Sequence, residues 1–140
     1  MRVLIDTNII LDVLLEREPF LQDAKTLLEN VRIGRVVGYV TATTITNIFY
    51  IVRRQTKSIE KAKETVYLTL TLMQICRVDR NILEQAFALH INDFEDAVQL
   101  ACAIAENLEG IVTRNTEDFV AANLPILTAG EVVEVLAQNP

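Results

Sequence analysis

Apolar residues in this chain follow two alternating periods. Arg2 to Ile5 is a short apolar run, cut off by Asp6-Thr7-Asn8. Ile9, Ile10, Val13 and Leu14 then fall at helical spacing. Pro19 opens a second helical segment, with Phe20, Ala24, Leu27 and Leu28 on one stripe. Val36 to Val40 reads as a second strand, followed at once by a helix from Ala42 to Arg54 that carries Ile45, Ile48, Phe49 and Val52 inward. Ser58 suits the N-cap of a helix reaching Met73. Ile75 to Val78 is a third strand, and Asp79 suits the cap of a helix with Ile82, Leu83, Ala86 and Leu89 inward. Asp93 to Glu106 is rich in Ala, Leu and Glu and predicts a strong helix, with Gly110 at its C-cap region. Gly110 to Thr113 is a fourth strand, Asn115 to Val120 a loop or one helical turn, and Pro125 to Leu127 a fifth strand. Thr128 caps a last helix through Val132, Val133 and Leu136.

Short, β-branched strands that alternate with helices predict a parallel sheet covered on both faces. No linker, repeat or low-complexity stretch interrupts the pattern. The expectation is one α/β domain over residues 1–140, a three-layer α/β/α sandwich with a mostly parallel sheet. Composition agrees. The apolar share of 51% fills a core, and 4 Gly with 3 Pro argue against disorder and against an all-β fold.

Charge narrows the functional classes. Lys and Arg total 13 and Asp and Glu 19, a formal charge of -6. That balance opposes indiscriminate adhesion to nucleic acid or anionic membranes and suits a site that holds cations. Cys76 and Cys102 make no disulfide framework and sit in apolar surroundings, as reduced buried thiols do. Asp6 and Asn8 break the apolar start, so no signal peptide is expected, and no apolar stretch is long enough to span a membrane. A cytoplasmic, reducing location fits.

In open parallel sheets, sites form beyond the carboxyl ends of the strands. Asp6 stands just after the first strand, and Asp118 follows the fourth by a few residues. Asp93 and Asp96 open one helix three positions apart, on a face that continues through Ala97, Leu100, Ala101 and Ile104. An N-cap at Asn92 or Asp93, with Glu95 and Asp96 as first-turn acids, explains that pair without any ion. Four acids converging on one rim call for more, because crowded carboxylates repel and a divalent cation relieves them. All-oxygen donors favour Mg²⁺ or Mn²⁺ over zinc, and His90 is the only histidine, read as a surface or cap residue. Such a site suits phosphodiester hydrolysis with one ion or two.

These residues resemble the PIN domain family, specifically the VapC toxins of bacterial toxin–antitoxin pairs. The segment Val3-Leu4-Ile5-Asp6-Thr7-Asn8-Ile9-Ile10-Leu11-Asp12 is similar to the family's first motif, with Asp6 at a metal-ligand position and Asn8 supporting. Asp93-Phe94-Glu95-Asp96-Ala97-Val98-Gln99-Leu100-Ala101-Cys102-Ala103 resembles the third motif. Asp96 matches its principal acid and Asp93 an accessory one. Val112-Thr113-Arg114-Asn115-Thr116-Glu117-Asp118-Phe119 resembles the fourth, with Asp118 on the acidic position and Thr113 and Asn115 on supporting ones. The second motif departs from the pattern: Asn47 stands in Thr44-Ile45-Thr46-Asn47-Ile48-Phe49-Tyr50 where the family usually has Glu. Asp93, on the face of Asp96, is expected to offset the missing charge. The resemblance implies a Mg²⁺- or Mn²⁺-dependent ribonuclease. Its catalytic acids would be Asp6, Asp96 and Asp118, with Asp93 joining them as metal ligand. It also implies a homodimer held inactive by a small antitoxin protein.

The basic run from Arg53 to Lys63 is the local exception in an acidic chain, and Arg53 and Arg54 are candidates for RNA phosphates. Arg114, between Thr113 and Asn115, is a third candidate. Two other readings compete. A non-catalytic nucleic-acid or protein-binding domain with a weakened ion site is favoured by Asn47. A receiver-like phosphate-handling domain requires a lysine near the last strands, and no lysine follows Lys63.

Overall fold

Successive residues of the first strand point into opposite cores. Val3 and Ile5 of β1 (Arg2–Ile5) pack with one cluster of buried side chains, and Leu4 packs with the other. This period of two, apolar on both faces, is what a strand covered by helices on both sides requires. The computed structural model describes residues 1–119 and 122–139. After β1 come α1 (Thr7–Leu14), α2 (Leu21–Arg32), β2 (Val37–Thr41), α3 (Ala42–Thr56), α4 (Ile59–Leu72) and β3 (Gln74–Cys76). The second half holds α5 (Arg80–Ala88), α6 (Phe94–Ala105), β4 (Gly110–Val112), a 3₁₀ turn (Thr116–Phe119), β5 (Ile126–Leu127) and α7 (Ala129–Gln138).

The strands form one five-stranded sheet in the order β3-β2-β1-β4-β5, and every pairing is parallel. Side chains of α1, α2, α3, α4 and α7 fill the core on one face, and α5 and α6 fill the other. The expected three-layer α/β/α sandwich is therefore the observed one. From β1 the chain steps outward through β2 to β3. It then returns to β4 on the other side of β1 and steps outward again to β5. The strand order reverses between β1 and β4, which makes their carboxyl ends the topological switch point.

Caps read from local sequence appear as expected. Ser58 Oγ accepts from Lys61 N–H, Asp79 Oδ1 from Ile82 N–H, and Thr128 forms a full capping box with Glu131. Boundaries move by a few residues. β2 runs Val37–Thr41 rather than from Val36 to Val40, and β3 runs Gln74–Cys76 rather than from Ile75 to Val78. The second helix begins at Leu21, past Pro19. The predicted helix from Asp93 loses its first residue: Asp93 is the N-cap, with extended backbone, and α6 starts at Phe94. Leu83 and Ile104, expected inward, are 40% and 48% exposed. Leu83 lies with Phe87 and Phe94 along an open groove between α5 and α6, and Ile104 lines another with Leu89 and Leu108. Val120, the end of the loop expected after β4, lies outside the described residues.

One glycine controls how closely β5 approaches. A Cβ at Gly110 would stand 2.7 Å from the Pro125 carbonyl oxygen, which is backbone and has little freedom to yield. The same carbonyl accepts from Ile111 N–H at 3.0 Å. Gly110→Ala is expected to cost about 1–3 kcal/mol, the usual cost of overpacking, measured as a lower urea midpoint.

Candidate functional site

The site is built outward from Asp6. Ile5 pairs with Val112 across the sheet, and Asp6 N–H donates to Val112 O at 2.9 Å, so the strand register delivers Asp6 beside Thr113. Asp6 is 6% exposed. A buried carboxylate is costly unless donors face it. Two neutral donors do: Thr113 Oγ1 donates to Oδ2 at 2.8 Å, and Gln99 Nε2 donates to Oδ1 at 3.0 Å. Thr113 Oγ1 accepts in turn from Asn115 N–H at 3.1 Å, which ties the loop after β4 to the same point. Gln99 is 1% exposed, and its own Oε1 has no hydrogen-bond partner. Sequence reasoning gave Gln99 no role. Its signal was available, as a polar residue inside the apolar run Ala97 to Ala103 and three positions after Asp96.

Asp96 stands in the first turn of α6, half-buried. Its carboxyl is pushed up to about 7, first by burial and then by the charges of Asp93, Asp6, Asp118 and Glu95. The other three candidate acids are thus near enough to act on Asp96. Asp93 spends one oxygen on the helix, because Oδ1 accepts from Asp96 N–H at 3.1 Å. Asp118 is exposed on the 3₁₀ turn, and the turn is anchored by the neighbouring Phe119, 1% exposed. Asp93, Asp96 and Asp118 line an open cleft of about 380 Å³ together with His90, Asn92 and Glu117. His90 is exposed, with left-handed backbone (φ 56°) just past α5.

On the other side, Asn47 is half-buried on α3. One turn earlier on that helix, Thr44 joins a row of hydroxyls that ends on an acid. Thr7 Oγ1 donates to Glu95 Oε1 at 3.1 Å and contacts Thr44 Oγ1 at 2.8 Å. Thr44 contacts Thr41 Oγ1 at 3.1 Å, and Thr41 contacts Thr43 Oγ1 at 2.8 Å. Asn8 lies beside the site with its Oδ1 accepting from Arg17 Nη1 at 3.4 Å.

The cation candidates are not beside the carboxylates. Arg53 and Arg54 occupy the last turn of α3, exposed, about 9 and 10 Å along the axis from Asn47. Arg114 turns away into a buried ion pair. Its Nε is 3.0 Å from Asp12 Oδ2, and its guanidinium lies 4.0 Å from the ring centre of Phe20. Asp12 is fully buried, and burial pushes its carboxyl up although Arg114 and Arg17 draw it down. Arg114 is therefore the counter-ion that makes a buried Asp12 tolerable.

The donor set suits a hard divalent cation. It is all oxygen, it is mutually repulsive without a cation, and the orphaned Gln99 Oε1 beside Asp6 stands ready for a donor such as a bound water. Asp6, Asp96 and Asp118 would hold the ion. Among the described residues no three His, Cys, Asp or Glu side chains form a ready cage, so waters would complete the shell, as Mg²⁺ prefers.

Two outcomes follow. Arg114→Ala leaves Asp12 buried with only Arg17, at 3.9 Å, so it is expected to cost about 3–5 kcal/mol in urea unfolding. Asp96 holds its proton in the folded chain over a pH range where the unfolded chain has released it. Ionising it therefore costs stability as pH rises from about 4 to about 7. Without divalent ions, the melting temperature of Asp96→Asn should fall less across that window than that of the unaltered chain.

The same fold recurs in solved structures. A toxin–antitoxin complex from Klebsiella pneumoniae is similar over 91% of this chain and 97% of its own, at 26% identity and a TM-score of 0.69. VapBC-1 from nontypeable Haemophilus influenzae is similar over 92% and 98%, at 16% identity and a TM-score of 0.69. VapC20 from Mycobacterium tuberculosis, a toxin that cleaves the sarcin–ricin loop, is similar over 78% and 86%, at 15% identity and a TM-score of 0.64. No curated protein sequence matches the chain. The PIN domain profile matches residues 2–117, which take in β1, Asn47, the acids of α6 and the start of the loop after β4, and it ends one residue before Asp118. By that match, and by a fold that carries Asp6 and Asp96 to the switch point, the chain belongs to the PIN domain family.

Proposed function

We propose that this PIN domain, one unit over residues 1–140, is a divalent-cation-dependent endoribonuclease and the toxin of a toxin–antitoxin pair. The observation that carries the reading is the convergence of Asp6, Asp93 and Asp118 on Asp96, at the position where open parallel sheets place their sites. When bound, Mg²⁺ or Mn²⁺ supplies an activated water and charge stabilisation for the leaving oxygen of a phosphodiester. The chain's own part is positional. Thr113 and Gln99 hold both oxygens of Asp6 in fixed directions, Asn115 ties its loop to Thr113, and Phe119 anchors the turn that bears Asp118. Arg53 and Arg54 are available to RNA phosphates, since among the described residues neither forms an ion pair.

Further support comes from relatives. The Klebsiella pneumoniae structure is a toxin–antitoxin complex, and VapC20 is a toxin that cleaves the sarcin–ricin loop. The relatives support an antitoxin partner; we further propose RNA as substrate and a second copy in a homodimer, in the cytoplasm. Among the described residues no helix is long and apolar enough to cross a membrane.

Asn47 favours a second reading, a non-catalytic PIN domain with a weakened ion site. Incubating the purified chain with a mixed RNA pool and Mn²⁺ or Mg²⁺, beside Asp6→Ala, separates the two. Ion-dependent cleavage that disappears in Asp6→Ala is expected. Equal cleavage in both samples marks a contaminant, and intact RNA with either ion favours the binding-only domain.

A further inference from the structure

The hydroxyls around Thr44 have a direction. A threonine hydroxyl has one proton to give. Thr7 gives its proton to Glu95, so the bond between Thr7 and Thr44 must be donated by Thr44. Thr44 having spent its proton, Thr41 donates to Thr44, and by the same count Thr43 donates to Thr41. Thr41, Thr44 and Thr7 are buried, and a row of donors aligned head to tail in a buried setting polarises each member. All of that polarity ends on one carboxylate oxygen, Glu95 Oε1. Among the described residues Glu95 has no other hydrogen-bond partner and no cationic partner, which leaves Oε2 unengaged.

The row also connects two helices. Thr7 follows Asp6 directly, at the start of α1. Thr44 is in the first turn of α3, and Asn47 lies three positions on, on the same face. Glu95 is in the first turn of α6, next to Asp96 and four positions before Gln99. A side chain from α6 thus reaches the hydroxyl neighbour of Asp6 and, through it, the face of α3 that carries an amide in place of an acid. Gln99 Oε1, an acceptor buried and unpartnered beside Asp6, independently points to a cation or its water bound at this place. Asp93 is less well suited to replace the charge absent at Asn47, because one of its oxygens is held as the cap of α6.

We infer that Glu95 is the fourth carboxylate of the cation site, supplying from α6 the charge that Asn47 does not supply from α3. The inference rests on the reading that Asp6, Asp96 and Asp118 hold a divalent ion. It assigns the hydroxyl row the task of fixing Glu95 with one oxygen bonded to Thr7 and the other turned to the ion.

The test is Mn²⁺ binding to the full, metal-free chain by titration calorimetry, with melting temperatures taken in parallel. Glu95→Gln keeps an oxygen to accept from Thr7 and removes only the charge. It is expected to weaken Mn²⁺ binding by about tenfold or more, while the metal-free melting temperature stays within about 2 °C. Adding Asn47→Glu to Glu95→Gln should restore the affinity. Binding within about twofold of the unaltered chain in Glu95→Gln, with binding lost in Asp6→Asn, overturns the inference alone. A loss that Asn47→Glu does not recover, or one matched by a fall in metal-free stability, also overturns it. If Asp6→Asn leaves Mn²⁺ binding unchanged, the ion-site reading itself fails and takes the inference with it.

Discussion

Everything at the rim of this sheet depends on keeping one carboxylate, Asp6, under cover without neutralising it. A buried charge costs several kcal/mol unless polar groups face it. The fold meets that demand with two neutral donors, Thr113 from the end of β4 and Gln99 from α6. Neither carries a charge, so Asp6 is oriented and its negative charge remains available. An arginine in either place would have satisfied the oxygens and cancelled the site. The β1–β4 register and the seating of α6 on the sheet are both needed for this arrangement, which links the acidic site to the core beneath it.

The remaining acids are placed where their repulsion is least costly. Asp93, Glu95 and Asp96 all stand at the N-terminus of α6, where the helix dipole favours negative charge. Even so, the carboxyl of Asp96 is driven far above its ordinary range. Cations are kept elsewhere. Arg114 is only one residue from Thr113, yet it is held by buried Asp12 and covered by Phe20. The ion pair does two things at once: it supports the loop that carries Thr113, and it removes the nearest positive side chain from the acids.

How much of this was legible in the sequence depended on how local the cause was. Strands, helices and caps at Ser58, Asp79 and Thr128 were readable, because each follows from residues within a few positions. Asp93 shows the limit of that reading. The sequence left the cap open between Asn92 and Asp93 while counting Asp93 in the helix, and the bond from Asp96 N–H makes Asp93 the cap. The acids after β1 and β4 were readable from topology. Gln99, Glu95 and Arg114 were not, since their roles come from partners far away in the chain: Asp6, Thr7 and Asp12. A polar residue on an apolar helical face was the available warning for Gln99. Nothing local distinguished Glu95 from any first-turn acid, or Arg114 from a surface cation.

The hydroxyl row bears on why an amide at position 47 is tolerable. A glutamate there would add a further charge on the α3 side of a site where burial and crowding already push the Asp96 carboxyl up to about 7. Thr41 and Thr44 are fully buried and already use their protons in a chain that leads away from α3. They have none left to give a carboxylate on their own helix. With the row running toward Glu95, the uncharged Asn47 leaves the α3 side of the site electrically quiet, and negative charge is concentrated at the end of α6 where the dipole supports it. Departure from the family pattern at one position and an added acid at another are then two sides of one electrostatic arrangement.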